Sequence, residues 1–448
     1  MASFLDRERI VAQPGHSRWL VPPAALAIHL CIGQAYGFSV FNLPLTKLIG
    51  ITASKPGEDW QLTTITYIFS VAIVFLGLSA ALFGAWLERV GPRKAMFAAA
   101  CCFGGGFVVS AIGVKLHSFP VLVAGYGVLG GIGLGLGYIS PVSTLIKWFP
   151  DRPGMATGMA IMGFGGGAMI GSPLGVNLMK TFATPTGTGV FETFVAMGVI
   201  YFAFMLFGAI VVRVPPDGWK PEGFVPPATP QKLVTTAQVS ASSAIRTPQF
   251  YLLWAVLFLN VSAGIGVLQT ASPMIQQTVG VSAAAAAGFV GLISLFNMGG
   301  RFFWSSLSDK IGRKNTYAIY FLLGAAVYAL VPTAAGMKSV PLFVTLVCVI
   351  MTMYGGGFAT IPAYLRDLFG TMQVGAIHGR LLTAWSAAGV AGPLLINFMR
   401  DQQTKSGVPL EQAYNVTMYI LAGVLIVGFV CNALVKPVDA KFHFQGTK

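Results

Sequence analysis

Apolar stretches of roughly 20 or more residues, almost free of Asp, Glu, Lys and Arg, recur along the whole chain. At 1.5 Å per residue each is long enough for one helix to cross a ~30 Å hydrocarbon layer. They predict twelve transmembrane helices, near 20–46, 62–87, 95–114, 120–148, 154–180, 192–212, 249–277, 283–307, 315–335, 341–366, 376–399 and 413–435. A membrane β-barrel needs short alternating segments instead, and the pattern holds none. An all-α membrane protein is expected.

Between the sixth and seventh spans the chain turns polar and proline-rich, with Pro215, Pro216, Pro221, Pro226, Pro227 and Pro230. This reads as a linker between two sets of six helices. The expected organisation is an arm (1–19), a first bundle (20–213), the linker (214–247), a second bundle (248–435) and a tail (436–448). The bundles repeat each other. Glu88-Arg-Val-Gly91-Pro-Arg93 corresponds to Asp309-Lys-Ile-Gly312-Arg-Lys314, with both acids and both glycines 221 residues apart. The same offset relates Pro141 to Pro362, Gly154 to Gly375 and Gly158 to Gly379, while Pro173 and Pro393 differ by 220. Six helices per copy make this a parallel duplication with two pseudo-symmetric bundles. Such a pair is expected to place a binding site between its halves near the midplane, reached alternately from each side.

Composition agrees: 55% apolar, 9% charged and 55 glycines, small residues that let membrane helices approach closely. The five cysteines, Cys31, Cys101, Cys102, Cys348 and Cys431, all fall in apolar spans without metal-ligand spacing and read as core residues. The net charge of +14 is not spread as a nucleic-acid surface would be. With loops assigned alternately to two sides, 20 of the 28 Lys and Arg fall on the side of the N-terminus. Seven fall on the other: Lys47, Lys55, Lys115, Lys180, Lys338, Arg400 and Lys405. That bias predicts both termini in the cytoplasm. The basic arm ends at Arg18 and leads into a span too long for a cleavable signal peptide.

The remaining cation, Arg301, lies inside the eighth span, eight residues before the charged cluster at Asp309. That puts it ~12 Å deeper than the cluster, near the middle of the membrane. A guanidinium at a helix centre costs ~2.5–3.5 kcal/mol on insertion scales, so it marks a site for an anion unless helix carbonyls hold it as a structural group. Asn297 is four residues before it and shares its face. The pair offers a planar fork of donors plus an amide, suited to a carboxylate with a neighbouring hydroxyl or keto oxygen. Tyr354 and Phe358 are likewise four apart, among glycines, and Tyr138 sits beside Pro141 at the repeat-related place. Aromatic walls with few polar groups are usual in small-molecule sites, although each of these rings alone also reads as packing.

Two families of motif carry a resemblance. Gly84-Ala-Trp-Leu-Glu88-Arg-Val-Gly91-Pro-Arg93-Lys94 resembles the helix 2–3 signature of the major facilitator superfamily, with Glu88 where Asp is usual, and Ser308-Asp309-Lys-Ile-Gly312-Arg-Lys314 its second copy. Gly133-Leu-Gly-Leu-Gly-Tyr138-Ile-Ser-Pro141, Lys147-Trp-Phe-Pro-Asp151-Arg152 with Gly154-Met-Ala-Thr-Gly158, and Tyr354-Gly-Gly-Gly-Phe358-Ala-Thr-Ile-Pro362 resemble the oxalate/formate antiporter family, related to monocarboxylate transporters. The resemblance implies the major facilitator fold, Arg301 as carboxylate anchor with Asn297 as helper, and a first span that lines the cavity with Tyr36 and Asn42. Trp385, in Thr383-Ala-Trp385, departs from it: oxalate carriers have a lysine there. An indole in that place favours a monoanion or a larger, partly apolar acid.

His29 reads as a packing histidine and as the fallback for proton coupling. Asp309, Arg313, Glu88 and Arg93 are expected at the cytoplasmic rim as gate and packing elements, where ion pairs between bundles lock one state. No HExxH, Walker loop, nucleophile elbow or Rossmann fingerprint occurs, so neither an enzyme nor a bound cofactor is expected. The expectation is a secondary carrier of small carboxylates in the bacterial cytoplasmic membrane, monomeric and without a nucleic-acid partner. Its modes are anion exchange or, as alternatives, proton-coupled monocarboxylate symport or oxalate/formate antiport. A carboxylate receptor that moves nothing is a reading of a different class.

Overall fold

The structure is a computed structural model that describes residues 4–224 and 233–445. Pro226, Pro227 and Pro230 of the expected linker, and the outermost residues of the arm and tail, lie outside the described residues. Among the described residues twelve helices are long and apolar enough to cross a membrane. They are α1 Arg18–Leu45, α2 Leu62–Val90, α3 Pro92–Lys115, α4 Phe119–Trp148, α5 Pro153–Phe182 and α6 Val190–Val211, then α7 Pro248–Val279, α8 Ala285–Ile311, α9 Arg313–Gly336, α10 Val340–Phe369, α11 Val374–Lys405 and α12 Leu410–Ala433.

Most ends fall within a few residues of the hydropathy boundaries, and the exceptions have a local cause. α2 and α8 continue past the expected 87 and 307, so Glu88 and Asp309 occupy last helical turns. A helix need not stop where its apolar stretch stops. What stops both is glycine: Gly91 and Gly312 each take φ 85°, a left-handed conformation that costs a residue with Cβ. Thr247 starts α7 by accepting from the Phe250 N–H at 3.3 Å, and Ser282 starts α8 by accepting from the Ala285 N–H at 3.2 Å. α11 is in two pieces, Val374–Leu381 and Thr383–Lys405.

The chain divides into two compact units. Unit 1 is Met1–Pro150, Gly163–Gly223 and His378–Thr383; unit 2 is Asp151–Met162, Phe224–Ile377 and Ala384–Lys448. In unit 1, α3 and α6 meet backbone to backbone. A Cβ on Gly104 would lie 2.8 Å from the Gly198 carbonyl, and one on Gly198 2.8 Å from that of Gly104. Phe103, Phe107, Phe38, Tyr126 and Phe194 fill the space beside that contact, and the buried Tyr126 hydroxyl donates to Gln34 Oε1 at 3.0 Å. The arm is strapped to this unit: Ala12 N–H donates to Val214 O and Val214 N–H to Ile10 O, both at 2.9 Å. In unit 2, Tyr317 and Tyr320 pack beside α10, donating to Gly357 O at 2.6 Å and meeting Thr360 Oγ1 at 2.9 Å.

The cysteines correct the sequence reading. Cys31 and Cys348 are buried, but Cys101 is exposed and Cys102 and Cys431 are half-buried. An apolar run does not say which side of a membrane helix is packed, because the lipid-facing side is apolar as well.

Candidate functional site

α8 builds the site in unit 2. Asn297, Arg301, Ser305 and Asp309 recur every four residues, so one face carries all of them. Arg301 is completely buried. Its Nε donates to Asn297 Oδ1 at 3.2 Å and its Nη1 to Ile161 O at 3.3 Å. The guanidinium carbon lies 5.2 Å from the centre of the Phe358 ring, a cation–π arrangement. Phe358 is braced by Tyr354 edge-on at 5.3 Å and by Trp385 at 4.5 Å. The structure thus brings five of the sequence-predicted residues together: Asn297, Arg301, Tyr354, Phe358 and Trp385. It also refines two roles. The Asn297 carbonyl orients the guanidinium, and the indole supports the ring beneath it.

Glycines make this approach of α8 and α10 feasible. A Cβ on Gly355 would collide with the Asn297 backbone carbonyl and lie 2.5 Å from Asn297 Oδ1 and 3.0 Å from Arg301 Cγ. Gly355→Ala is therefore expected to overpack the site and lower stability by ~1–3 kcal/mol, read as a fall in thermal midpoint of the purified protein. An unchanged midpoint would show that the α8 and α10 backbones part there without cost.

Unit 1 holds the other predicted residues. Tyr138 is fully buried, with ring centroids 5.3 Å from His29, 5.5 Å from Phe164 and 5.8 Å from His378. Tyr36 meets the same Phe164 edge-on at 5.0 Å. Asn42 stands apart, half-buried near the end of α1, where its Oδ1 has no hydrogen-bond partner among the described residues. His29 Nδ1 lies 3.2 Å from Ala25 O, one turn earlier on its own helix.

The residues expected at the rim engage partners in their own units. Glu88 pairs with Lys147 at 3.0 Å. Arg93 caps the end of α6 by donating to Ala209 O, Ile210 O and Val212 O at 3.0–3.3 Å, and it also reaches Phe4 O at 3.0 Å. A cation on those terminal carbonyls is favourable. Asp309 accepts from the Gly154 and Met155 N–H groups at 2.9 and 2.8 Å, which satisfies orphan donors at the start of α5. Arg313 bridges Asp309 at 2.6 Å and Asp367 at 3.2 Å.

Sequence reasoning missed three groups. The Ile161 carbonyl has no signature, because every residue carries one. Asn260 is buried on α7 beside Gly357, and its Oδ1 has no partner among the described residues; a lone polar residue in an apolar span was the available signal. His378 is a second deeply buried histidine, beside the His29 that the sequence singles out. The 221-residue offset pairs it with Thr157 and would have drawn attention to it.

The family model described as Major Facilitator Superfamily matches residues 24–393. This chain belongs to that superfamily. Among relatives of this major facilitator protein, the oxalate:formate antiporter of Oxalobacter formigenes is 29% identical over 380 residues, 84% of this chain and 83% of the relative. Human monocarboxylate transporter 11 is 24% identical over 86% of this chain and 77% of its own length. Among solved structures, a variant of the E. coli fucose:proton symporter superposes with TM-score 0.64 at 14% identity, covering 93% of this chain and 99% of that one. That likeness shows the fold. Fold and relatives are those of membrane transporters.

Proposed function

We propose that this chain is a secondary transporter of small organic carboxylates, with monocarboxylates such as lactate, pyruvate, glycolate or formate favoured and anion exchange its main mode. Arg301 carries the reading. It is a fully buried cation, oriented through Nε by Asn297 and laid against Phe358. Guanidinium donors match a carboxylate in geometry and charge, and a membrane protein keeps such a costly group for a purpose. The names of the two relatives, an oxalate:formate antiporter and a monocarboxylate transporter, support an acid as cargo. Tyr354, Phe358 and Trp385 in one unit and Tyr36, Asn42 and Tyr138 in the other are proposed as lining residues. Both termini are placed in the cytoplasm by the charge bias, the protein acts as a monomer, and it needs no cofactor.

Exchange follows from what surrounds the cation. No Asp or Glu occurs between Glu222 and Asp309, and Asn297 occupies the position four before Arg301. Passing through a dehydrated intermediate with this cation and no anion is unfavourable. A bound carboxylate relieves that cost, so the loaded carrier reorients faster than the empty one. The test is uptake of labelled lactate into proteoliposomes with and without internal lactate at matched pH. Internal lactate is expected to raise the initial rate about tenfold, the equivalent of ~1.4 kcal/mol in the barrier. Rapid uptake into empty vesicles, driven by an inward proton gradient and lost in His29→Ala, would make the protein a symporter instead.

A further inference from the structure

His378 is buried to 1% exposure, and neither ring nitrogen has a hydrogen-bond partner among the described residues. Leaving a buried polar atom unsatisfied is costly, so the position calls for an explanation. The internal repeat sharpens it. The offset that pairs Gly158 with Gly379 also pairs Thr157 with His378 and Ala359 with Tyr138. In unit 2 the first pair is satisfied: Thr157 Oγ1 donates to Ala359 O at 2.6 Å. In unit 1 the equivalent pair is an imidazole lying 5.8 Å from the Tyr138 ring with both nitrogens idle. A small hydroxyl that only braces two helices has been matched by a larger group that can take up a proton.

We propose that His378 is a proton-binding latch: neutral, it lets His378–Thr383 pack within unit 1 beside Tyr138 of α4, and protonated, it releases that segment. The chemistry at the position is one-sided. A neutral imidazole has one donor and one acceptor, whereas an imidazolium has two donors and a charge. The group that faces His378 from α4 is Tyr138, a neutral phenol, and beyond that ring α1 presents His29, a second potential cation. From α2 the neighbour of this segment is backbone: a Cβ on Gly379 would collide with the Ala80 carbonyl. The charged residue on the segment itself is Arg380, of the same sign. None of these groups is a carboxylate, and a buried charge without one is expensive. Proton binding and the packed arrangement therefore exclude each other. Gly379 makes the contact all-or-none, because helix and backbone meet there with no side chain to act as a spacer.

The test uses the purified full-length protein in nanodiscs, without substrate, so its outcome is independent of the carboxylate reading. Amide hydrogen exchange of residues 378–383 is followed by mass spectrometry at pH 7.5 and 5.5 and corrected for the intrinsic rate. One pH unit below the ordinary imidazole value of ~6.5, linkage gives about a tenfold loss of protection in the wild type. His378→Gln, which keeps a polar side chain of similar reach but does not titrate, is expected to abolish that pH dependence. His29→Gln is expected to keep it. Equal corrected protection at both pH values in the wild type overturns the proposal, whether or not the variants fold. So does an acid response that persists in His378→Gln or is lost only in His29→Gln.

Discussion

Arg301→Gln is expected to lose carboxylate binding by at least about 30-fold while the protein still inserts and folds. Removing one member of a buried hydrogen-bonded charge pair costs ~2–5 kcal/mol of binding, which is a factor of about 30 to several thousand. The empty protein gains at the same time, because a cation buried in the membrane interior is replaced by a neutral amide. A glutamine keeps amide donors for acceptors such as Ile161 O and Asn297 Oδ1, which meet the native guanidinium. Arg301→Lys is expected to fall between the two, since it keeps the charge and loses the planar fork. Ligand-induced shifts in thermal midpoint measure both quantities at once. If Arg301→Gln binds the best acid normally but melts at a lower temperature, the arginine is a structural tie between α8 and α5 and the anion site is elsewhere.

Trp385→Lys is expected to invert the preference between acids of different charge. In the wild type the indole is fully buried against Phe358, which in turn lies beneath Arg301. One core cation suits one carboxylate, so a monocarboxylate is expected to displace a bound ligand more effectively than oxalate, by about tenfold if the surplus carboxylate costs ~1.4 kcal/mol to bury without a partner. The substitution removes aromatic packing worth ~3–5 kcal/mol, of which the lysine stem recovers part, and it adds a second cation. The empty variant therefore melts lower, and oxalate restores it more than any monocarboxylate does. A wild-type protein that prefers oxalate to every monoacid tested would show that a single guanidinium handles both charges.

Much of the site was legible because it runs along single helices. Asn297 with Arg301, and Tyr354 with Phe358, are one-turn pairs, and α-helical spacing alone puts each pair on one face. That Arg301 would be a buried, unusual cation followed from its distance to Asp309 along the same helix. The aromatic support was harder to foresee. Trp385 stood out only as a departure from a family pattern, and its contact with Phe358 joins α10 to α11.

The sequence by itself determined the number of spans, the internal repeat and that a cation inside the eighth span had to be buried. All three are recorded locally: hydropathy over a helix length, matching glycines and acids at one offset, and a charge within an apolar run. Tertiary structure alone decided which acceptors Arg301 meets, since Ile161 is 140 residues away and offers a backbone carbonyl. It also decided that Arg93 is spent on the last carbonyls of α6, that Asp309 caps α5, and that Cys101 is exposed while Cys31 is buried. In the same way it set His378 against Tyr138 with no partner for either nitrogen among the described residues. The reason is common to all of them. Spacing along a helix fixes neighbours within that helix, whereas partners between helices depend on which glycines let two backbones approach, and every carbonyl is an equally eligible acceptor until they do.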